Sequence, residues 1–233
     1  MKLYILSGGA AHGLVTALAP AFKKRTGCDI EGAFGAVGAM RGKLLAGAPA
    51  DVLILTSAFI DELVRGGHVV AGSAENVGVV RTGIAVREGD AMPAVTNASE
   101  LKQVLQSASD IYIPDPKLST AGIHMMKVLE GLQIASEVAS RMRAFPNGAT
   151  AMSALATATG ARPVGCTQRT EILGTPGVTY VGALPGAYEL ATVYTAGLGA
   201  RAALSWEANV LIALLTGAET ASAREKSGFE QVE

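Results

Sequence analysis

The sequence is short of charge, aromatic rings and cysteine. Of 233 residues 17% are charged, 5% are aromatic with a single tryptophan, and two are cysteine. Nineteen Lys and Arg against twenty Asp and Glu leave a formal net charge of −1, without the basic excess of a nucleic-acid binder, so no nucleic-acid partner is expected. Cys28 and Cys166 lie far apart and form neither a CxxC pair nor a zinc spacing, which removes a disulfide framework and leaves two reduced thiols as the expectation. The three histidines, His12, His68 and His124, have no ligand-spaced carboxylates around them and no HExxH, so no metal site is expected. GxGxxG and GxxxxGK[ST] are both missing, and with them the sequence case for a nucleotide; no cofactor is expected. A GxSxG elbow is missing too, so Ser7 reads as a hydrogen-bond donor and not as a nucleophile. The longest apolar run near the C-terminus, residues 210–215, falls far short of the roughly 20 residues that span a bilayer, and membrane insertion is not expected. Residues 1–9 carry one lysine and a short apolar run that ends in glycines. That is too short for an export signal, so the expected location is the cytoplasm, or the periplasm if a leader has been trimmed.

What remains is a chain rich in small and apolar residues, 49% hydrophobic with 28 glycines, suited to tight packing and many turns. Residues 3–6 form a short apolar run stopped by Ser7-Gly8-Gly9, and a helical pattern follows over residues 11–25. The unit repeats with a strand over 29–34, glycines at 35 and 38, and a helix through Met40, Leu44 and Leu45, then with a continuously apolar strand over 50–55 and a helix over 57–66. Three strand–helix units in succession make an α/β domain. Further on, 81–87 reads as extended, Ser99 as a helix N-cap, and 111–113 as a strand ending at Pro114-Asp115-Pro116. Helices are expected over 121–132, 135–143, 149–159 and from about 200 to 215, with extended segments at 164–167, 178–181 and 190–196. The expected architecture is α/β with two lobes, each a mostly parallel sheet flanked by helices. Residues 1–82 plus 191–233 make the first lobe and 83–190 the second. The apolar C-terminal helix permits a homodimer without requiring one.

Three small-residue turns each follow a strand and open a helix: Ser7-Gly8-Gly9-Ala10, Gly35-Ala36-Val37-Gly38 and Ser119-Thr120-Ala121-Gly122. Backbone N–H groups at a helix start, aided by the positive end of the helix dipole, receive anions, and in open α/β sheets such starts gather at the carboxyl ends of strands. The candidate binding residues are Ser7, Gly8, Gly9, Ala10, Ala36, Val37, Ser119, Thr120, Ala121, Asn147 in its Pro146-Asn147-Gly148 turn, Gln168 and Arg169, with a small anion as ligand. Arg169 offers a planar fork for a carboxylate, or is a solvated surface arginine. His12 and His124 are read in the first turn of their helices, where an imidazole can donate to a ligand or move a proton; they are the catalytic candidates. Cys166 reads as buried and inert.

With these turns in place the element order resembles the type II periplasmic-binding-protein fold, and the molybdate-binding protein family in particular, over nearly the whole chain. The most specific segment is Leu45-Ala46-Gly47-Ala48-Pro49-Ala50-Asp51-Val52, supported by Ala19-Pro20-Ala21-Phe22, Ser119-Thr120-Ala121-Gly122-Ile123-His124 and Pro176-Gly177-Val178. The resemblance implies a ligand cleft between the lobes, with an oxyanion held by hydroxyls and amides of the first two turns, by the second lobe's small-residue turn and by a tyrosine after a later strand. The chain departs from that pattern where Ala10 stands for a serine, where Ala36-Val37-Gly38 stands for a serine run, and near Gln168, where the tyrosine falls. A site that loses hydroxyl donors holds a tetrahedral metal oxyanion poorly. The remaining donors suit a di- or tricarboxylate. The Gly122-Ile123-His124 and Gln168-x-x-Glu171-Ile172 stretches are similar to a branch that includes aconitate isomerase-like proteins. Two functions are therefore expected as alternatives. One is an isomerase that shifts a proton on an unsaturated carboxylate; the other is a solute-binding protein that serves an ABC-type transporter permease for molybdate or another oxyanion.

Overall fold

The computed structural model describes residues 1–232. In chain order it runs β1 (Lys2–Gly8), α1 (His12–Thr26), β2 (Asp29–Gly35), α2 (Val37–Leu45), β3 (Val52–Thr56), α3 (Ser57–Arg65), β4 (Glu75–Arg87), α4 (Ala98–Ser107), β5 (Ile111–Pro114) and α5 (Thr120–Gly131). It continues with α6 (Ala135–Val138), β6 (Met142–Phe145), α7 (Gly148–Ala156), β7 (Val164–Gln168), α8 (Arg169–Leu173), β8 (Val178–Ala183), β9 (Ala191–Leu198), α9 (Ser205–Thr216) and α10 (Ala221–Lys226). This is a mixed α/β architecture with flanking helices. The chain divides into two compact units, Met1–Val80 with Thr192–Glu233, and Arg81–Ala191.

In the first unit β1 lies between β2 and β3, parallel to both, and β9 joins β3 antiparallel. Leu3, Ile5, Val52, Leu53, Ile54 and Leu55 are fully or almost fully buried, the composition of strands covered by helices on both faces. Asp51 explains the acidic residue in the signature segment. Its buried carboxylate accepts the N–H of Tyr4 at 2.8 Å and those of Ala203 and Leu204 at 2.7 and 3.2 Å, which ties β1, β3 and the entry to α9 together. A buried carboxylate is tolerable only with such partners.

In the second unit β7 pairs antiparallel with β4 and parallel with β5, β5 pairs parallel with β6, and β8 pairs antiparallel with β4. Its core gathers Ile84, Leu101, Leu105, Ile111, Met125, Val128, Leu129 and Cys166. Two local expectations are corrected here. The helix expected over 135–143 stops short, and its last two residues, Met142 and Arg143, open β6, because pairing with β5 outweighs a short helical pattern. The cap of α4 is Asn97 and not Ser99: Asn97 Oδ1 accepts the Glu100 N–H at 3.0 Å, while the Glu100 carboxylate accepts from Thr96 N and Oγ1. The helix expected from about residue 200 begins at Ser205, and 81–87 is the second half of the longer β4. No helix among the described residues is long and apolar enough to cross a membrane.

Candidate functional site

In the first unit the parallel register sets Ser7 beside Phe34 and Gly8 beside Gly35, so the turns after β1 and β2 leave the sheet side by side. They touch. A Cβ on Gly8 would stand 2.9 Å from Val37 Cγ1 and 3.0 Å from the Tyr194 ring, so only glycine lets the two turns approach this closely. Ser7 is fully buried and donates to the Gly8 carbonyl at 2.9 Å. Neither the single 3-10 turn over Gly9–Ala11 nor α2 is capped by a side chain, although both helical starts follow strand ends. Ala10, Ala36 and Val37 are buried and carry no polar side chain. His12 is the first residue of α1, exposed, with its ring tilted against Phe34 at 4.4 Å between centroids.

In the second unit Asp115 Oδ1 accepts the N–H groups of Lys117 and Leu118, and Ser119 N–H donates to the Asp115 carbonyl. This turn presents Ser119 as the N-cap of α5, with its side chain making no capping bond and Thr120 and Ala121 following in the first turn. His124, the fifth residue of α5, lies just beyond the first turn in which its sequence reading placed it. Its Nε2 is 2.7 Å from the Tyr188 carbonyl, a pairing that makes Nε2 the protonated nitrogen and Nδ1 the acceptor. Asn147 is taken up by its own helix, where a capping box with Thr150 uses the side chains of both residues.

The α7 start is joined to the end of β7 by Glu171. Its buried carboxylate receives the Thr167 hydroxyl at 2.5 Å and the main-chain N–H groups of Gly148, Ala149 and Gln168. Gly148 packs so closely against Thr167 and Glu171 that a side chain there would overlap both. Burial pushes the Glu171 carboxyl above its ordinary value, and the hydrogen bonds oppose that push. Gln168 caps α8 by position, yet its side chain does not bond the helix, and both Nε2 and Oε1 are buried without a partner. The neighbouring hydroxyls of Thr82, Cα partner of Gln168 across β4 and β7, and of Thr170 are in the same condition. Arg169 is half-buried with its guanidinium 5.6 Å from the Tyr180 ring centroid. Burial pushes the Cys166 thiol up to about 12, so it is a neutral core group at ordinary pH.

The structure therefore groups Ser7, Gly8, Gly9, Ala10, Ala36 and Val37 in one unit around two touching turns. In the other it sets Asn147 close to Gln168 through Glu171. Sequence reasoning missed Thr82, Thr170 and Glu171. Thr82 carries no local signal, because only the strand register brings it to Gln168. Thr170 and Glu171 adjoin a residue already chosen.

Each unit of this α/β chain thus carries strand-end turns that open helices without a side-chain cap. The chain belongs to the bacterial extracellular solute-binding protein family, whose pattern matches residues 3–230. It is 28% identical over 236 residues to an aconitate isomerase of Pseudomonas sp, with 99% of this chain and 88% of that protein covered. Among solved structures it is similar to the periplasmic molybdate-binding protein of Azotobacter vinelandii, with TM-score 0.80, 20% identity and 99% and 100% of the two chains covered. It is also similar to the sulfate-binding protein of Mycobacterium tuberculosis H37Rv, with TM-score 0.75, 15% identity and 100% and 88% covered.

Proposed function

We propose that the protein binds a small di- or tricarboxylate and isomerises it by an allylic proton shift. The observation that carries this reading is the likeness to an aconitate isomerase across 99% of the chain. The site residues support it. First-turn amides that no side chain caps can receive carboxylate oxygens at Gly9–Ala10 and Val37–Gly38 of the first unit, and the second unit offers the same kind of start at Thr120–Ala121. Arg169 and Ser119 add side-chain donors.

In the reaction a base removes the proton from the carbon next to a carboxylate and double bond, and the electron pair spreads over the allyl–carboxylate system. A proton then returns at the far allylic carbon, so atoms and charge balance without a cofactor. Amides aimed at the carboxylate stabilise the charge that develops there. His12, exposed at the first position of α1, is the proton carrier in this reading. His124 donates from Nε2 to the Tyr188 carbonyl, which leaves its Nδ1 edge for the ligand.

Incubation with cis- and trans-aconitate and related unsaturated acids in heavy water tests the proposal by proton NMR. Deuterium entering the allylic positions together with a new isomer is expected, and His12→Ala should slow it about 100-fold or more, the usual contribution of a general acid or base. A panel without exchange overturns the isomerase reading. A second reading, delivery of a solute to a transporter permease outside the cytoplasm, is favoured by family membership. Tight binding of molybdate or sulfate in calorimetry, without turnover of any acid, would establish it instead.

A further inference from the structure

In the second unit the loops after β4 and before β7, together with the second half of α4, enclose a cavity of about 310 Å³, at the lower end of the range for small-ligand pockets. Val86, Met92, Pro93, Val104, Pro163 and Val164 give it apolar walls, and Asp90, Ala161 and Arg162 also border it. It lies apart from Gln168. Val86 pairs with Val164 in the β4–β7 register, four residues along from the Thr82–Gln168 pair, about 13 Å at the rise of a strand.

The walls are held in place by the chain itself. Arg87, at the end of β4, donates from Nη1 to the Ala158 carbonyl and from Nη2 to Asp90 Oδ1, the latter at 2.9 Å, so one guanidinium fixes the loops on both sides. The Ser109 N–H donates to the Arg162 carbonyl at 3.0 Å and fixes the main chain at the cavity's other edge. A pocket formed in advance spends little free energy on ordering when it is filled. Met92, an exposed large apolar side chain, is the adaptable part of the wall.

Charge restricts what the cavity takes. Asp90 is already paired with Arg87, and Asp110, whose carbonyl accepts the Val164 N–H, is paired with Arg143 at 2.7 Å. Arg162 has no side-chain hydrogen bond or ion pair among the described residues, so the apolar cavity is bordered by one surplus positive charge. An apolar amine would meet that charge with its own. A di- or tricarboxylate would set its further charges against apolar walls that cannot pair them. A single carboxylate on an apolar body meets both conditions: the guanidinium fork takes the head and the walls cover the body. We propose that this cavity is a second binding site, for a small apolar monocarboxylate, separate from the turns assigned to the unsaturated acid and independent of that reading.

Calorimetry on the full chain with hydrocinnamate tests the proposal, with hydrocinnamide and phenylpropylamine as the matched neutral and cationic probes. The acid is expected to bind about ten-fold or more tightly than either, the scale of a hydrogen bond to a charged group. Arg162→Gln should bring acid and amide together. Ala161→Trp, at an exposed loop position, fills the cavity and should abolish binding of the acid; it is the second variant if Arg162→Gln fails to fold. An excess of trans-aconitate should leave the affinity unchanged. No saturable binding of the acid, equal binding of acid and amide, binding undiminished in both variants, or displacement by trans-aconitate each overturns the proposal.

Discussion

Glu171 shows how far one buried side chain can organise its surroundings. It takes three main-chain N–H groups and a hydroxyl, and so pins the start of α7 to the end of β7, where Gln168 sits. A carboxyl whose folded pKa lies above its unfolded value, near 4.5 here, adds stability that is complete below that pH and is lost as pH rises through the folded value. Glu171→Gln lacks this pH-dependent part and turns an amide NH₂ toward four donors. The variant is therefore expected to lose about 1–3 kcal/mol of unfolding free energy near pH 4.5, the cost of unpaired buried donors, with the gap to wild type narrowing as pH rises. Urea melts at a series of pH values measure it; a gap that widened would contradict the assignment. Cys166 makes a simpler prediction. With its thiol held up at about 12 in the core, it should resist a thiol reagent at pH 8 in the folded protein and react fully in urea.

At the level of elements, the helices divide by how their starts are finished. Those of α4 and α7 are closed by their own asparagines, while the other helix starts carry no side-chain cap, and among these the 3-10 turn before α1, α2 and α5 open from small-residue turns. Asn147→Ala should accordingly cost about 1 kcal/mol in thermal or urea unfolding. Ser119→Ala removes no cap, so its stability change should stay within about 0.5 kcal/mol. In the proposed role it weakens carboxylate binding, which calorimetry reads. The three small-residue starts were legible from the sequence, because glycine and small residues between an apolar strand and a periodic helix have few other readings. The cap of α4 was not, since Asn97, Ser99 and Glu100 offer two overlapping capping patterns and only the bonding of Thr96 to Glu100 separates them. Strand β6 was hidden for a different reason. Its four residues have no alternation of their own and become a strand through Ile111 and its neighbours in β5.

At the level of the whole molecule, a net charge of −1 coexists with an anion site if the site is made of main-chain amides, neutral side chains and the single half-buried cation of Arg169. Binding of a tricarboxylate should then weaken by no more than about three-fold between low and physiological salt, because bonds from main-chain amides and from one partly buried cation are screened little. A steep fall would point to a site of exposed cations. The α/β class was readable because apolar strands and amphipathic helices alternate from the first residues. The Thr82, Gln168 and Thr170 cluster was not, because a pairing between residues so distant in sequence exists only after the strands have found their register.

The path of the chain also bears on the protein's synthesis. The second unit is one unbroken segment, Arg81–Ala191, whereas the first is split around it and includes Thr192–Glu233. A ribosome therefore releases everything the second unit needs before β9 exists to complete the first unit's sheet beside β3. The usual order, in which the N-terminal part matures first, is reversed here. The apolar strand β3 waits with one edge unpaired until the segment Thr192–Glu233 emerges, about 2–8 s at 5–20 residues per second. That interval is when the nascent protein most needs a chaperone.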